Sequence, residues 1–336
     1  MTAGDRLRAL RLPRPGFDTA RAHAPLRVLS LTGGGYRGLF SARLLVSLCE
    51  QARRDGALNG AFDVFAGTSI GGLMACGLAV GMPARRVLDA IDAQGPKLFP
   101  RKRQRTLRRA LFGTLYDTDH LARAVDESLG RFAQVKLKNV PVGLLVPAVD
   151  WARGCAEVFV SGAFGKARAS DATLRDVCLA SAAAPTFFKP HVVDGAALLD
   201  GGLAANNPDV LVLLEVAKRW PQALARTQML SIGSAGADSA RTLDDAEKTG
   251  LAWASALPVF MMTVQERSAA AQAQRLLGTR YLRLDHVPQP GQAAFENLDL
   301  ADDAARSALL AAATLSAESA YRTQRAFIDR ILADRR

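Results

Sequence analysis

The feature that most constrains this chain is the hexapeptide Gly67-Thr68-Ser69-Ile70-Gly71-Gly72 together with its flanks. Before it, Phe62-Asp63-Val64-Phe65-Ala66 is short and mostly apolar, the pattern of a buried strand. After it, Leu73 to Val80 is apolar and reads as a helix. A chain that passes from strand to helix in so few residues must turn sharply, and small neighbours remove the side-chain clashes of such a turn. Ser69 then stands at a helix N-terminus, with free N–H groups and the positive dipole end facing it. Strand, turn and helix form the context of a G-x-S-x-G nucleophile elbow. The pentapeptide alone is a weak signal, because a Gly-rich turn packing a helix on a sheet reads the same way.

Two further stretches add to it. Leu26 to Leu31 reads as a strand that runs into Thr32-Gly33-Gly34-Gly35-Tyr36-Arg37-Gly38 and then a helix from about Leu39 to Arg54. Consecutive glycines can turn several N–H groups into one anion-binding concavity. Downstream, Leu198-Leu199-Asp200-Gly201-Gly202 places a carboxylate on a turn with room around it. A nest, a serine elbow and a carboxylate are the parts of an acyl-transfer site: oxyanion hole, nucleophile and base.

With these blocks in order, the sequence resembles the patatin-like phospholipases. G-G-G-x-R-G, G-T-S-x-G-G and D-G-G match the family's signature blocks, and Ala180 to Phe188 and Asn206-Asn207-Pro208 resemble its flanking segments. The resemblance runs from about Val28 to Pro208. Thr32 departs from the pattern, since many members carry Asp before the glycines. The resemblance implies an α/β fold of three layers, α/β/α, with a mostly parallel central sheet and a helix-rich C-terminal part. It implies a Ser69–Asp200 dyad hydrolysing membrane phospholipid esters, with oxyanion donors at Gly34, Gly35 and Gly38. Arg37 would support the loop or meet an acidic headgroup, and no metal would be required. The wording around Gly33 and Ser69 is most similar to the CapV-type phospholipases of bacterial antiphage defence. This implies a cyclic dinucleotide as activator rather than a nucleic acid polymer as partner. A constitutive patatin-like esterase stays open as the alternative.

Net charge is +11 with a pI near 10.0, which suits an anionic partner or simple solubility. Lys97 to Arg109 concentrates that charge, with Lys97, Arg101, Lys102, Arg103, Arg105, Arg108 and Arg109 and no acid. It reads equally as a surface for acidic headgroups and as a solvated helix face. Cys49, Cys76, Cys155 and Cys178 lie far apart without zinc-like spacing, and most read as small core residues of a protein in a reducing compartment. No apolar h-region and no run of ~18 apolar residues is seen, so the expectation is a cytoplasmic protein that meets the inner membrane peripherally.

Residues 1–25 read as a lead-in, and 26–336 as one domain with helical C-terminal additions that could form a homo-oligomer interface. The order β-α-β-α implies parallel strands with right-handed crossovers. Strands are also expected at Val142–Asp150, Ala156–Val160, His191–Asp194, Thr227–Ile232 and Tyr281–Leu284. Helices are expected from Pro83, Asp117, Ser170 and Asp209. Gly33-x-Gly35-x-x-Gly38 also matches a dinucleotide fingerprint, a different class of function. That fingerprint wants an acid at the end of the next strand, where this chain has Ala66-Gly67-Thr68. Ser69, Asp200 and His286 appear in the order of an α/β-hydrolase triad, but only one βα unit precedes the elbow and His286 reads as a turn histidine.

Overall fold

Alternation along the strands decides how this sheet is covered. Leu29 and Leu31 of β1 (Arg27–Leu31), Phe65 of β2 (Val64–Gly67) and Leu144 and Val146 of β3 (Gly143–Asp150) enter one apolar cluster. Their neighbours Val28, Val64, Ala66 and Leu145 enter a second. Successive side chains point to opposite faces, so a strand apolar at every position is buried on both sides and needs helices above and below.

The computed structural model describes residues 25–100, 114–164, 171–236, 251–289 and 291–334. Residues 1–24 of the lead-in and the basic run from Arg101 through Arg109 lie outside the described residues, as does Ser170. β1 is central, parallel to β2 on one side and to β7 (Gln228–Ile232) on the other. β3 and β8 (Tyr281–Leu284) extend the parallel set outward. The remaining strands run antiparallel: β4 (Cys155–Val160) and β6 (Ala196–Asp200) both pair with β3, and β5 (His191–Val193) pairs with β6.

The first cluster is closed by α1 (Gly38–Gln51), α2 (Ile70–Ala79), α3 (Ala84–Leu98), α4 (Thr118–Leu129) and α5 (Leu174–Ser181). The second is closed by α7 (Asp209–Arg219), which follows the single turn α6 (Gly202–Ala205), and by the C-terminal end of α9 (Leu251–Leu277), with α8 (Pro221–Leu224) beside them. The last two helices are α10 (Ala293–Glu296) and the long α11 (Asp303–Leu332), which packs along α1 and closes the outer layer with Leu309, Ala313, Ile328 and Ile331. The result is the expected three-layer α/β/α architecture with a mostly parallel sheet. α5 starts later than expected. Thr173 caps it, accepting from the Asp176 N–H while the Asp176 carboxylate accepts from the Thr173 N–H, so the capping box fixes the first turn at Leu174.

Candidate active site

Ser69 sits where β2 hands over to α2, at φ 54° and ψ −121°, a conformation that L residues avoid. The turn closes so tightly that a Cβ on Gly67 would lie 2.0 Å from Gly71 O, and one on Gly71 would lie 2.3 Å from Leu31 O. Glycine at both positions is therefore a steric requirement of the elbow. The strained serine is held from behind: its N–H donates to Ser181 Oγ at 3.0 Å, and Ser181 Oγ donates to Pro147 O at 2.6 Å. Thr68 Oγ1 donates to Ala205 O at 2.6 Å and ties the elbow to α6.

Asp200 ends β6. Antiparallel pairing sets it opposite Ala148, and its N–H donates to Ala183 O at 3.0 Å. The structure brings Ser69 and Asp200 together: Ser69 Oγ donates to Asp200 Oδ2 at 2.8 Å. The other carboxylate oxygen, Oδ1, accepts from the Gly202 N–H at 2.6 Å. Asp200 is buried, and burial pushes its pKa up to about 6, against the two hydrogen bonds that favour the ionised form.

The Gly-rich loop faces the same pair. The N–H groups of Gly33, Tyr36 and Arg37 donate to Asn206 O, Leu298 O and Gly34 O. Gly34 and Gly35 line the cavity at Ser69, and among the described residues their N–H groups carry no hydrogen bond. Gly35 needs its freedom, since φ is +57° and a Cβ would meet Leu298 O at 2.2 Å. Gly38 is placed differently from the expectation. Its N–H donates to Gly35 O and Tyr36 O inside the turn, it begins α1, and it packs on Ile70 rather than lining the cavity. Arg37 also points away. It is 7% exposed and Nη1 donates to Phe295 O at 2.7 Å, so it ties the loop to α10 instead of meeting a ligand. Burial lowers its pKa, against the pull of Glu266 and Asp285.

The cavity above the pair has a volume of about 410 Å³ and is walled by Ile70, Leu73, Ile91, Leu121, Val125, Phe187 and Phe188. This lies in the ~300–1,000 Å³ range of small-ligand sites and offers an alkyl chain a continuous apolar wall. His286 does not line it; the ring packs between Phe40 and Phe295, where burial lowers its pKa. His120 and His191 do not line it either, and His23 lies outside the described residues. Among the described residues no group of three or more His, Cys, Asp or Glu is arranged to hold a metal ion. No described helix is long and apolar enough to cross a membrane.

Behind the loop lies a buried polar network that the sequence did not announce. Arg283 Nη2 donates to Glu266 Oε1 at 2.5 Å and Asp285 Oδ2 at 2.7 Å, and Nη1 donates to Ser231 Oγ at 2.9 Å and Thr32 Oγ1 at 3.2 Å. Thr32 thus accepts from an arginine that Glu266 and Asp285 already pair. Burial pushes Glu266 up to about 7, with Arg283 opposing and Asp285 adding to the rise. Asn206 joins this network to the loop. Its Nδ2 donates to Glu266 Oε2 at 3.2 Å, its N–H donates to Gln265 Oε1 at 2.6 Å, and its carbonyl accepts from the Gly33 N–H at 3.0 Å. Asn206 was visible in the sequence only through the Asn-Asn-Pro likeness; Glu266, Arg283 and Asp285 carried no local signal.

A three-layer α/β/α fold with a serine elbow bonded directly to an aspartate defines a class, and the comparisons name it. The patatin-like phospholipase model matches residues 29–210, and the chain belongs to that family. Among curated relatives it is similar to the cGAMP-activated phospholipase of Vibrio cholerae, 34% identical over 63% of this chain and 64% of the relative. It is also similar to the cGAMP-activated phospholipase of Pseudomonas aeruginosa, 31% identical over 79% of each chain. The chain thus spans just under two thirds of the Vibrio relative's length. Patatin-like protein 2 of Arabidopsis thaliana is 35% identical over 56% of this chain and 52% of the relative. Among solved structures, VipD from Legionella pneumophila aligns over 89% of this chain and 67% of that chain, with a TM-score of 0.46 at 13% identity.

Proposed function

We propose that this protein hydrolyses fatty acyl esters of membrane phospholipids with Ser69 as nucleophile and Asp200 as base. The observation that carries this reading is the 2.8 Å hydrogen bond from Ser69 Oγ to Asp200 Oδ2 at the floor of an apolar cavity. The alkyl chain lies along that cavity, and the ester carbonyl meets Ser69. Asp200 takes the Oγ proton as Oγ attacks, then returns it to the leaving alcohol. Negative charge on the carbonyl oxygen is taken by the N–H groups of Gly34 and Gly35 and by the N-terminal end of α2. Fatty-acid release from phospholipid vesicles tests this. Ser69→Ala and Asp200→Asn should each lose at least ~10²-fold in rate, while His286→Ala keeps most of it. A folded, inactive His286 variant beside an active Asp200→Asn overturns the dyad.

We further infer that a cyclic dinucleotide raises this activity, as an effector of antiphage defence. The support is the likeness to two relatives whose names record cGAMP activation. A hundredfold rise in the active fraction requires the nucleotide to bind the active arrangement ~2.7 kcal/mol more tightly than the resting one. Fatty-acid release across a panel of cyclic dinucleotides and their linear forms should show low basal activity and a response to one cyclic member. Full activity without any of them leaves a constitutive esterase.

A further inference from the structure

Asn206 is 2% exposed, and three of its four polar groups are engaged: the N–H with Gln265, the carbonyl with Gly33, and Nδ2 with Glu266. The fourth, Oδ1, is buried and accepts no hydrogen bond among the described residues. Such an acceptor costs free energy and calls for a donor that arrives with the reaction. Turning the amide over would set Oδ1 against the Gly33 carbonyl and Glu266 Oε2, the two acceptors that Nδ2 now serves. Glu266 is itself held by Arg283, so the orientation of Asn206 is enforced from the buried network.

Oδ1 lies beside the reacting groups. A Cβ built on Gly202 would lie 3.0 Å from Asp200 Oδ1, 3.1 Å from Met262 Cε and 3.3 Å from Asn206 Oδ1, so the two oxygens border one point that the flexible Met262 side chain closes off. A Cβ built on Gly33 would lie 2.4 Å from Asn206 Oδ1 and 3.4 Å from Ser69 Cβ. Asn206 also lines the cavity that holds Ser69 and Asp200. The small donor that hydrolysis brings to this point is water.

We propose that Asn206 Oδ1 positions the water that hydrolyses the acyl-Ser69 ester, an assignment that rests on the serine–aspartate reading above. The water donates one hydrogen to Asn206 Oδ1 and the other to Asp200. Its oxygen bonds to the acyl carbon while its proton passes to the Asp200 carboxylate and the carbonyl electron pair moves onto the oxyanion. The intermediate collapses, the bond from the acyl carbon to Ser69 Oγ breaks, and Oγ takes the proton back from Asp200. The fatty acid leaves and both side chains return to their starting states.

The test separates acylation from deacylation with a p-nitrophenyl acyl ester. In Asn206→Ala the burst of nitrophenol should remain near one per enzyme at close to the wild-type rate. Steady-state turnover should fall at least about tenfold, the scale of one lost hydrogen bond of ordinary strength. Intact mass should show acyl-Ser69 accumulating, and added hydroxylamine, which brings its own strong nucleophile, should restore turnover. Glu266→Gln, which frees the Asn206 amide to turn over, should show the same split and decides the question if Asn206→Ala does not fold. Equal slowing of both steps without an acyl-enzyme, a loss confined to acylation, or unaltered turnover overturns the role of Asn206. A wild-type enzyme that never acylates Ser69 overturns the dyad instead, and with it this assignment.

Discussion

At the scale of single residues, Asp200 is the group whose surroundings matter most for both rate and stability. As base it must be ionised, so kcat/KM should rise with pH through about 6 and level off above it. A profile still falling between pH 8 and 7 would place the titrating base elsewhere. The same shift has a cost in stability. The folded-state pKa lies above the unfolded value, so the protonated form is the one that folding favours. At pH above about 6 the folded protein therefore holds a buried charge at a penalty, which disappears below the unfolded pKa near 3.8. Asp200→Asn should accordingly stabilise the fold at neutral pH, by on the order of 2 kcal/mol. That gain should vanish by about pH 4, as measured by urea unfolding across the pH range. Residues of this kind were legible in the sequence because their signals are local. Ser69, Asp200, Gly34 and Gly35 each sit in a short block whose spacing states its chemistry. Gly38 belonged to such a block as well, yet its N–H is consumed by the turn that the block itself forms.

Among the elements, α5 fixes nucleophile and base at once. Its last residue, Ser181, accepts from the Ser69 N–H through its side chain and from the Gly201 N–H through its carbonyl, and Ala183 just beyond accepts from Asp200. Ser181→Ala would leave the Ser69 N–H and Pro147 O without their partner. The expected loss is ~2–3 kcal/mol of stability, with a fall in kcat as Ser69 relaxes from its strained φ. Thermal unfolding and esterase rates on the same preparation check both. At the other end, Asp176→Ala removes the capping box and the contact with His191 at 3.2 Å, and should cost ~1–2 kcal/mol with a smaller effect on rate. Sequence patterns found most strands and helices here but not the strand β6 as an element, nor its direction. Its register against β3 is a long-range choice, and no periodicity within five residues encodes it. β8 was expected as a strand, but that it and α9 bring Arg283 and Glu266 to the back of the glycine loop is likewise a long-range choice.

For the molecule as a whole, the net charge of +11 predicts how it meets a bilayer. Binding to anionic vesicles should weaken with added salt, since exposed charges are screened within ~8 Å at physiological ionic strength, and binding to zwitterionic vesicles should respond little. Replacing Arg101, Lys102, Arg103 and Arg105 with Gln should reproduce the salt effect while a short-chain ester is still cleaved; flotation assays read the first and spectrophotometry the second. Tolerance of inserted residues follows from a different feature, the shared use of β3. Its first half pairs with β2, which carries Ser69, and its second half pairs with β6, which carries Asp200. One residue inserted between Val146 and Pro147 would slide Asp200 by ~3.3 Å and turn its side chain to the other face, ending hydrolysis in a chain that still folds. Residues added in the hairpin between Asp150 and Cys155 leave both pairings intact, and each doubling of that loop costs only ~0.6 kcal/mol. Labels or small domains should be accepted at Arg153 and Gly154 with activity retained, so insertions sort by which side of Asp150 they fall on.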